Sequence, residues 1–276
     1  MSRDLAIDTA LGHLRDFESS GGKLRGLEKK GGTVGDYHLS ATEDPRNLAL
    51  ARSKGFVYTA GDKTEPEQYN EWILANPSLE KEMARERLGQ LYDDRIAKYD
   101  RLEIGEQVSL LTNLYNLGTQ DNLMSAVSKL DGARRRGMSE AVIAKFKQAA
   151  RGFIDVTKSK GGGVESGLIR RTLAQKAVWD GQLNIKDVYY NPKWETLSAE
   201  EKMTEHKIIL DQQQAGLMLM EEAKADVLIY DRLEEARKIQ ERYGSVIIDE
   251  ASGEMPELPP PDAMLFAGPQ TETPQP

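Results

Sequence analysis

Apolar residues recur at Ile7, Leu11 and Leu14, a spacing of i, i+4 and i+7 that places them on one face of a helix over residues 4–18. Glu18 continues the same stripe. A carboxyl group on an apolar face is poorly solvated when charged, and desolvation moves it toward the protonation range of a general acid. Residues 19–38 are rich in Gly and Ser, with Gly21-Gly22 and Gly31-Gly32 as turn signals, and they predict a β-hairpin or small sheet. Residues 41–62 read as irregular, with a short helical patch at Leu48 to Ser53. Thr64-Glu-Pro-Glu-Gln68 starts a helix with Pro66 in its first turn, and Ser78-Leu-Glu-Lys81 starts a longer one running to about Leu102, long enough to join two lobes.

Residues 106–117 are apolar on more than one face, as in a helix buried on all sides, with Gly118 as its C-cap. Helices follow near Leu123 to Leu130, Ser139 to Phe153 and Ser166 to Trp179, the last after a Gly161-Gly-Gly163 break. The capping box Ser198/Glu201 then opens an almost unbroken helical pattern to Tyr243, carrying Ile208, Leu210, Leu217, Met220, Val227, Tyr230, Leu233 and Ile239. One long helix or a helical hairpin fits it. So many apolar residues require packing on the front of the chain, on itself or on another chain. Beyond Met255 the Pro-rich run cannot build a core and reads as extended.

Charge divides the 276 residues unevenly. Residues 182–276 hold nine basic and nineteen acidic residues, whereas the first 181 carry a small positive excess within a total of −8. A weakly basic front suits an anionic polymer such as a cell-wall glycan, and an acidic rear argues against nucleic acid and anionic lipid. With no Cys, thiol catalysis, disulfides and thiolate metal sites are excluded. The first residues lack a signal-peptide core and no stretch reaches the roughly 18 apolar residues of a membrane span. The expectation is synthesis in the cytoplasm, with a separate route to any external substrate.

Three segments in order carry a family resemblance. Asp16-Phe-Glu-Ser-Ser-Gly-Gly22 with Thr33-Val-Gly-Asp-Tyr-His38, then Glu106-Gln-Val-Ser-Leu-Leu-Thr-Asn-Leu-Tyr-Asn-Leu-Gly118, then Gly167-Leu-Ile-Arg-Arg-Thr-Leu-Ala-Gln-Lys-Ala-Val-Trp179 resemble the motifs of phage-type lysozymes. The resemblance covers roughly residues 1–182. It implies a mainly α fold with a small β-hairpin lobe (about 19–75) and a helical lobe (about 78–182). An acidic helical extension (183–250) and a Pro-rich tail (251–276) lie outside the family. The implied activity is that of a muramidase, cutting the β-1,4 bond between N-acetylmuramic acid and N-acetylglucosamine without cofactor or metal. The partner is the peptidoglycan strand, and residues 183–276 suit attachment to other proteins of a virus particle.

In the resemblance Glu18 is the general acid and Thr33 holds the attacking water. The family's hairpin Asp does not carry over, because its place falls at Leu27. Glu28 serves only if the hairpin shifts by one residue, and Asp36 is a second candidate. Tyr37 replaces the family's second Gly. His38, Asn116 and Arg170 are implied as substrate-binding or structural groups at the site, and Arg170 and Arg171 are expected to pair with acids. Glu18-Ser-Ser-Gly-Gly is also similar to the E-S-x-G signature of goose-type lysozymes and lytic transglycosylases, against which the rear motif argues. A third alternative is a structural protein without turnover.

Overall fold

The computed structural model describes residues 2–27, 34–42, 44–157 and 165–243, and the chain separates into two units, residues 1–226 and 227–276. In the first unit α1 (Ser2–Ser19), α2 (Pro45–Ser53), α3 (Glu65–Ala75) and α4 (Pro77–Leu91) come first. A π-helical turn, Tyr92–Ile96, ends the α4 rod short of the predicted Leu102. Then follow α5 (Ile104–Leu117), α6 (Asp121–Arg135), α7 (Glu140–Phe153), α8 (Ser166–Trp179), the short α9 (Lys186–Tyr189) and α10 (Lys193–Thr196), and α11 (Ala199–Tyr243), one continuous helix rather than a hairpin.

The predicted β-hairpin lobe is absent: the described residues contain no strand, and the fold is mainly α. Residues 20–26 close into successive turns instead. Leu24 N donates to Ser19 O at 2.9 Å, Arg25 N to Gly22 O at 3.4 Å and Leu27 N to Leu24 O at 3.1 Å. Local bonds of this kind consume the backbone groups that a ladder would need. Among the described residues one backbone hydrogen bond, Gly35 N to Arg25 O at 2.9 Å, joins the two sides. Residues 28–33, the tip of the predicted hairpin, lie outside the described residues.

The core is organised around α5, buried continuously from Gly105 to Leu114 and packed against α1, α4 and α8. At Gly105 a side chain would run into Val178 O, so glycine permits the close approach of α5 and α8. Ser109 Oγ donates to Gln175 O at 2.9 Å across that contact. Glu106 has no exposed surface, and its carboxylate is clamped by Nη1 and Nη2 of Arg134 at 2.6 and 2.8 Å, while it caps α5 through Glu103 N.

Within the first unit, α10 and the start of α11 pack on α8 through Ile169, Trp194 and Ile209, with Leu173 and Leu197 around them. The crossing of α7 and α11 is close because Gly152 and Gly216 face each other's backbones. Nearby, Lys176 is 1% exposed and reaches only Gln212 Oε1 among the described residues, at 2.6 Å. Burial, and secondarily the charge of Arg151, push its ammonium down to about 8. Among the described residues no helix is long and apolar enough to cross a membrane.

Lys176 gives a pH signature. The unfolded chain holds this proton up to about 10.5 and the folded chain only up to about 8, so the unfolded state binds more protons between those values. Stability therefore rises with pH across that window, by about 3 kcal/mol at most. Lys176→Met should raise the thermal midpoint at pH 7 and lose this part of the pH dependence, as read by thermal melts from pH 7 to 10.5; an unchanged wild-type slope in the variant would refute it.

Candidate functional site

The end of α1 sets the site. Ser20, Gly21 and Gly22 all take left-handed backbone angles (φ 51°, 70° and 95°), which stops the helix one residue after Glu18 and turns the chain away. Phe17 and Ser19 are buried on either side, leaving the Glu18 side chain 12% exposed. Arg171 of α8 donates from Nη2 to Glu18 Oε1 at 2.7 Å, and His38 Nδ1 lies 3.2 Å from Oε2. Residues 153 positions apart thus form an ion pair with little exposed surface, in which each charge needs the other.

An aromatic stack supports it. The Arg171 guanidinium lies 5.0 Å over the Phe17 ring, Phe17 meets Tyr189 edge-on at 5.0 Å, and Arg170 covers Tyr189 at 4.5 Å. The two adjacent arginines therefore do different work: Arg171 reaches Glu18, whereas Arg170 caps the aromatic stack. Tyr189 Oη also donates to Phe17 O at 3.4 Å. This ties α9 to the end of α1.

His38 is held from the opposite side. Its φ of 46° is a left-handed conformation that costs a non-glycine residue energy, and it persists because the preceding segment is pinned. The pin is Glu80 of α4, which has no exposed surface. Its carboxylate accepts from Tyr37 N at 2.8 Å, from Asp36 N and from Arg25 Nη1. Burial pushes the Glu80 carboxyl above its ordinary range, against the pull of those donors. Arg25 Nη2 continues to Ile73 O at 2.8 Å, and Gly35 is bare where a side chain would strike Glu80. Asp36 is drawn into the same network, with Arg15 Nε at 3.2 Å, Ser19 Oγ at 3.3 Å and Arg25 Nη1 at 3.5 Å.

His38 also lines a polar cavity of about 350 Å³ with Leu39, Asn47, Arg87, Leu114 and Tyr115. Arg87 is fixed there by Asp44 Oδ2 at 2.6 Å and Gln90 Oε1 at 2.9 Å. Tyr115 Oη donates to Tyr37 O at 3.2 Å, and burial followed by the negative charges of Glu18 and Glu80 keeps its phenol protonated well above the usual range. Asn116, one residue on, turns its amide back to Thr112 O at 2.6 Å.

Of the residues picked out in the sequence, Glu18 and His38 come together, Asp36 sits in the network behind them, and Arg170 stacks beside them. Asn116 bonds back onto its own helix next to Tyr115. Glu28 and Thr33 lie outside the described residues. Glu80, Arg25 and Tyr189 were not singled out, and Tyr115 was read only as part of the buried helix, because nothing local distinguishes a buried, paired charge or a cavity-wall tyrosine from an ordinary one. Among the described residues no group of three or more His, Asp or Glu side chains is placed to hold a metal ion.

Comparison with models of known protein families, with curated proteins and with solved structures gives no match.

Glu80→Gln should leave the buried Arg25 charge poorly compensated and replace an acceptor of backbone N–H groups by a mixed amide. We expect a loss of about 3 kcal/mol or more, seen as a fall of several degrees in the thermal midpoint. An exchange with no effect on the midpoint would show that the loop is pinned elsewhere.

Proposed function

We propose that the chain is a muramidase of phage origin that hydrolyses the β-1,4 bond between N-acetylmuramic acid and N-acetylglucosamine in peptidoglycan, with Glu18 as general acid. The observation that carries this reading is the position of Glu18: a largely enclosed carboxyl at a helix terminus, held by Arg171 and His38, with His38 also forming the wall of a polar cavity. Glycosidic cleavage needs a group that hands a proton to the leaving oxygen and a second carboxylate on the opposite side of the sugar. Arg171 holds one Glu18 oxygen in place. His38 fixes the direction in which the second oxygen points. Asp36 is committed to Arg15, Arg25 and Ser19, which favours Glu28 as the second carboxylate, with Thr33 holding the attacking water. Residues 183–276 attach this activity to a larger assembly such as a virus particle.

One observation favours a second reading, a structural protein without turnover. Both Glu18 oxygens already have partners, as expected of an ion pair kept for stability alone.

Mass spectrometry of fragments released from purified peptidoglycan separates the two. Wild-type protein should release muropeptides with ordinary reducing ends, and Glu18→Gln should lower the rate at least about a hundredfold. Products with 1,6-anhydro ends would make the enzyme a lytic transglycosylase, and no release by either protein would overturn the hydrolase reading and favour the structural one.

A further inference from the structure

The described part of the second unit is the end of α11, residues 227–243, in which four large apolar residues are exposed and Val227 and Tyr230 are half-buried. Leu228, Ile229, Leu233 and Ile239 are 54%, 57%, 65% and 52% exposed. At about 100° per residue these four and Ala236 fall within roughly 140° of the helix circumference, forming a stripe rather than a scatter. Large aliphatic side chains gathered on one helical face mark an interaction surface.

The charges select the occupant. Residues 227–235 carry three acids and one base, and residues 237–242 carry three bases and one acid. Laid antiparallel on a second copy of itself, the segment sets its acidic half against the basic half of the other copy; a parallel arrangement would set like against like. Pairing centred on Glu234 places Ile229 against Ile239 of the second copy and Leu233 beside its own equivalent. It also brings Arg232, the one charge within the stripe, over the small Ala236 of the second copy and next to that copy's Glu235. The same contacts occur twice about a two-fold axis, as a self-complementary interface requires.

We propose that residues 228–239 are the pairing surface of an antiparallel homodimer. Two short helices bury less than the roughly 1,200 Å² of a standard interface, so the dimer is reversible and depends on concentration. The inference is independent of the activity proposed for Glu18.

The absence of cysteine makes a clean test possible in the full-length chain. Sedimentation velocity over a hundredfold range of concentration should show a monomer–dimer equilibrium that Leu233→Asp shifts to monomer. Under mild oxidation Leu233→Cys should form a disulfide-linked dimer, whereas Ile239→Cys should not do so alone but should cross-link when mixed with Ile229→Cys. Arg232→Glu and Glu235→Arg should each weaken self-association at least tenfold, and an equimolar mixture of the two should restore it. A monomer at every concentration, or a dimer untouched by Leu233→Asp, would overturn the proposal. Equal cross-linking of Ile239→Cys by itself would overturn the antiparallel arrangement.

Discussion

A carboxylate without contact to water must find its donors inside the protein, and Glu80 finds them in the segment that leads to His38. The donors are the Tyr37 and Asp36 amides and the Arg25 guanidinium. That requirement does the work a β-ladder was expected to do. A hairpin would have satisfied the backbone groups of residues 19–38 with one another; here local turns take up those of residues 20–27, and the Asp36 and Tyr37 amides go to one buried charge on α4. Because an uncompensated buried charge costs several kcal/mol, the loop has little freedom to adopt another course. The left-handed angle of His38 and the bare Cα of Gly35 follow from it.

The second constraint is the ion pair between Glu18 and Arg171, which closes α8 against the end of α1. Its two ends are supported differently. Glu18 is placed by a helix terminus and by two buried neighbours in sequence, while Arg171 is placed by an aromatic stack from α1 and α9. Positioning by packed, satisfied groups is what a proton-transferring carboxyl needs. An ion pair kept only for stability uses the same physics, which is why product analysis decides between the two readings.

Residues 183–226 belong to the same compact unit as the residues before them. Their contacts combine an apolar cluster around Trp194 with a glycine crossing, Gly152 against Gly216, and a buried lysine whose hydrogen bond to Gln212 is a poor substitute for hydration. The first part of α11 is thus held by apolar contact and backbone proximity. Its end carries Leu228, Ile229, Leu233 and Ile239 exposed.

The sequence by itself determined where most helices lie. Periodicity is a local property: the stripe of Ile7, Leu11 and Leu14, the all-round apolar run of α5 and the Pro and capping-box starts each read correctly without knowledge of neighbours, whereas in α11 the pattern marked a helix but not its buried face, since Ile208, Leu210 and Leu217 are exposed and Ile209 and Ala223 are buried. It also singled out Glu18, since a carboxyl on an apolar stripe is a local oddity; His38 entered only through the family resemblance. The absence of the hairpin, the commitment of Asp36 to arginines, the choice of Arg171 over Arg170 as partner of Glu18, and the roles of Glu80 and Tyr115 were decided only by tertiary structure. Each depends on which buried charge or ring meets which donor across tens to more than a hundred residues, and that pairing is set by the packing of whole helices, which no local pattern encodes.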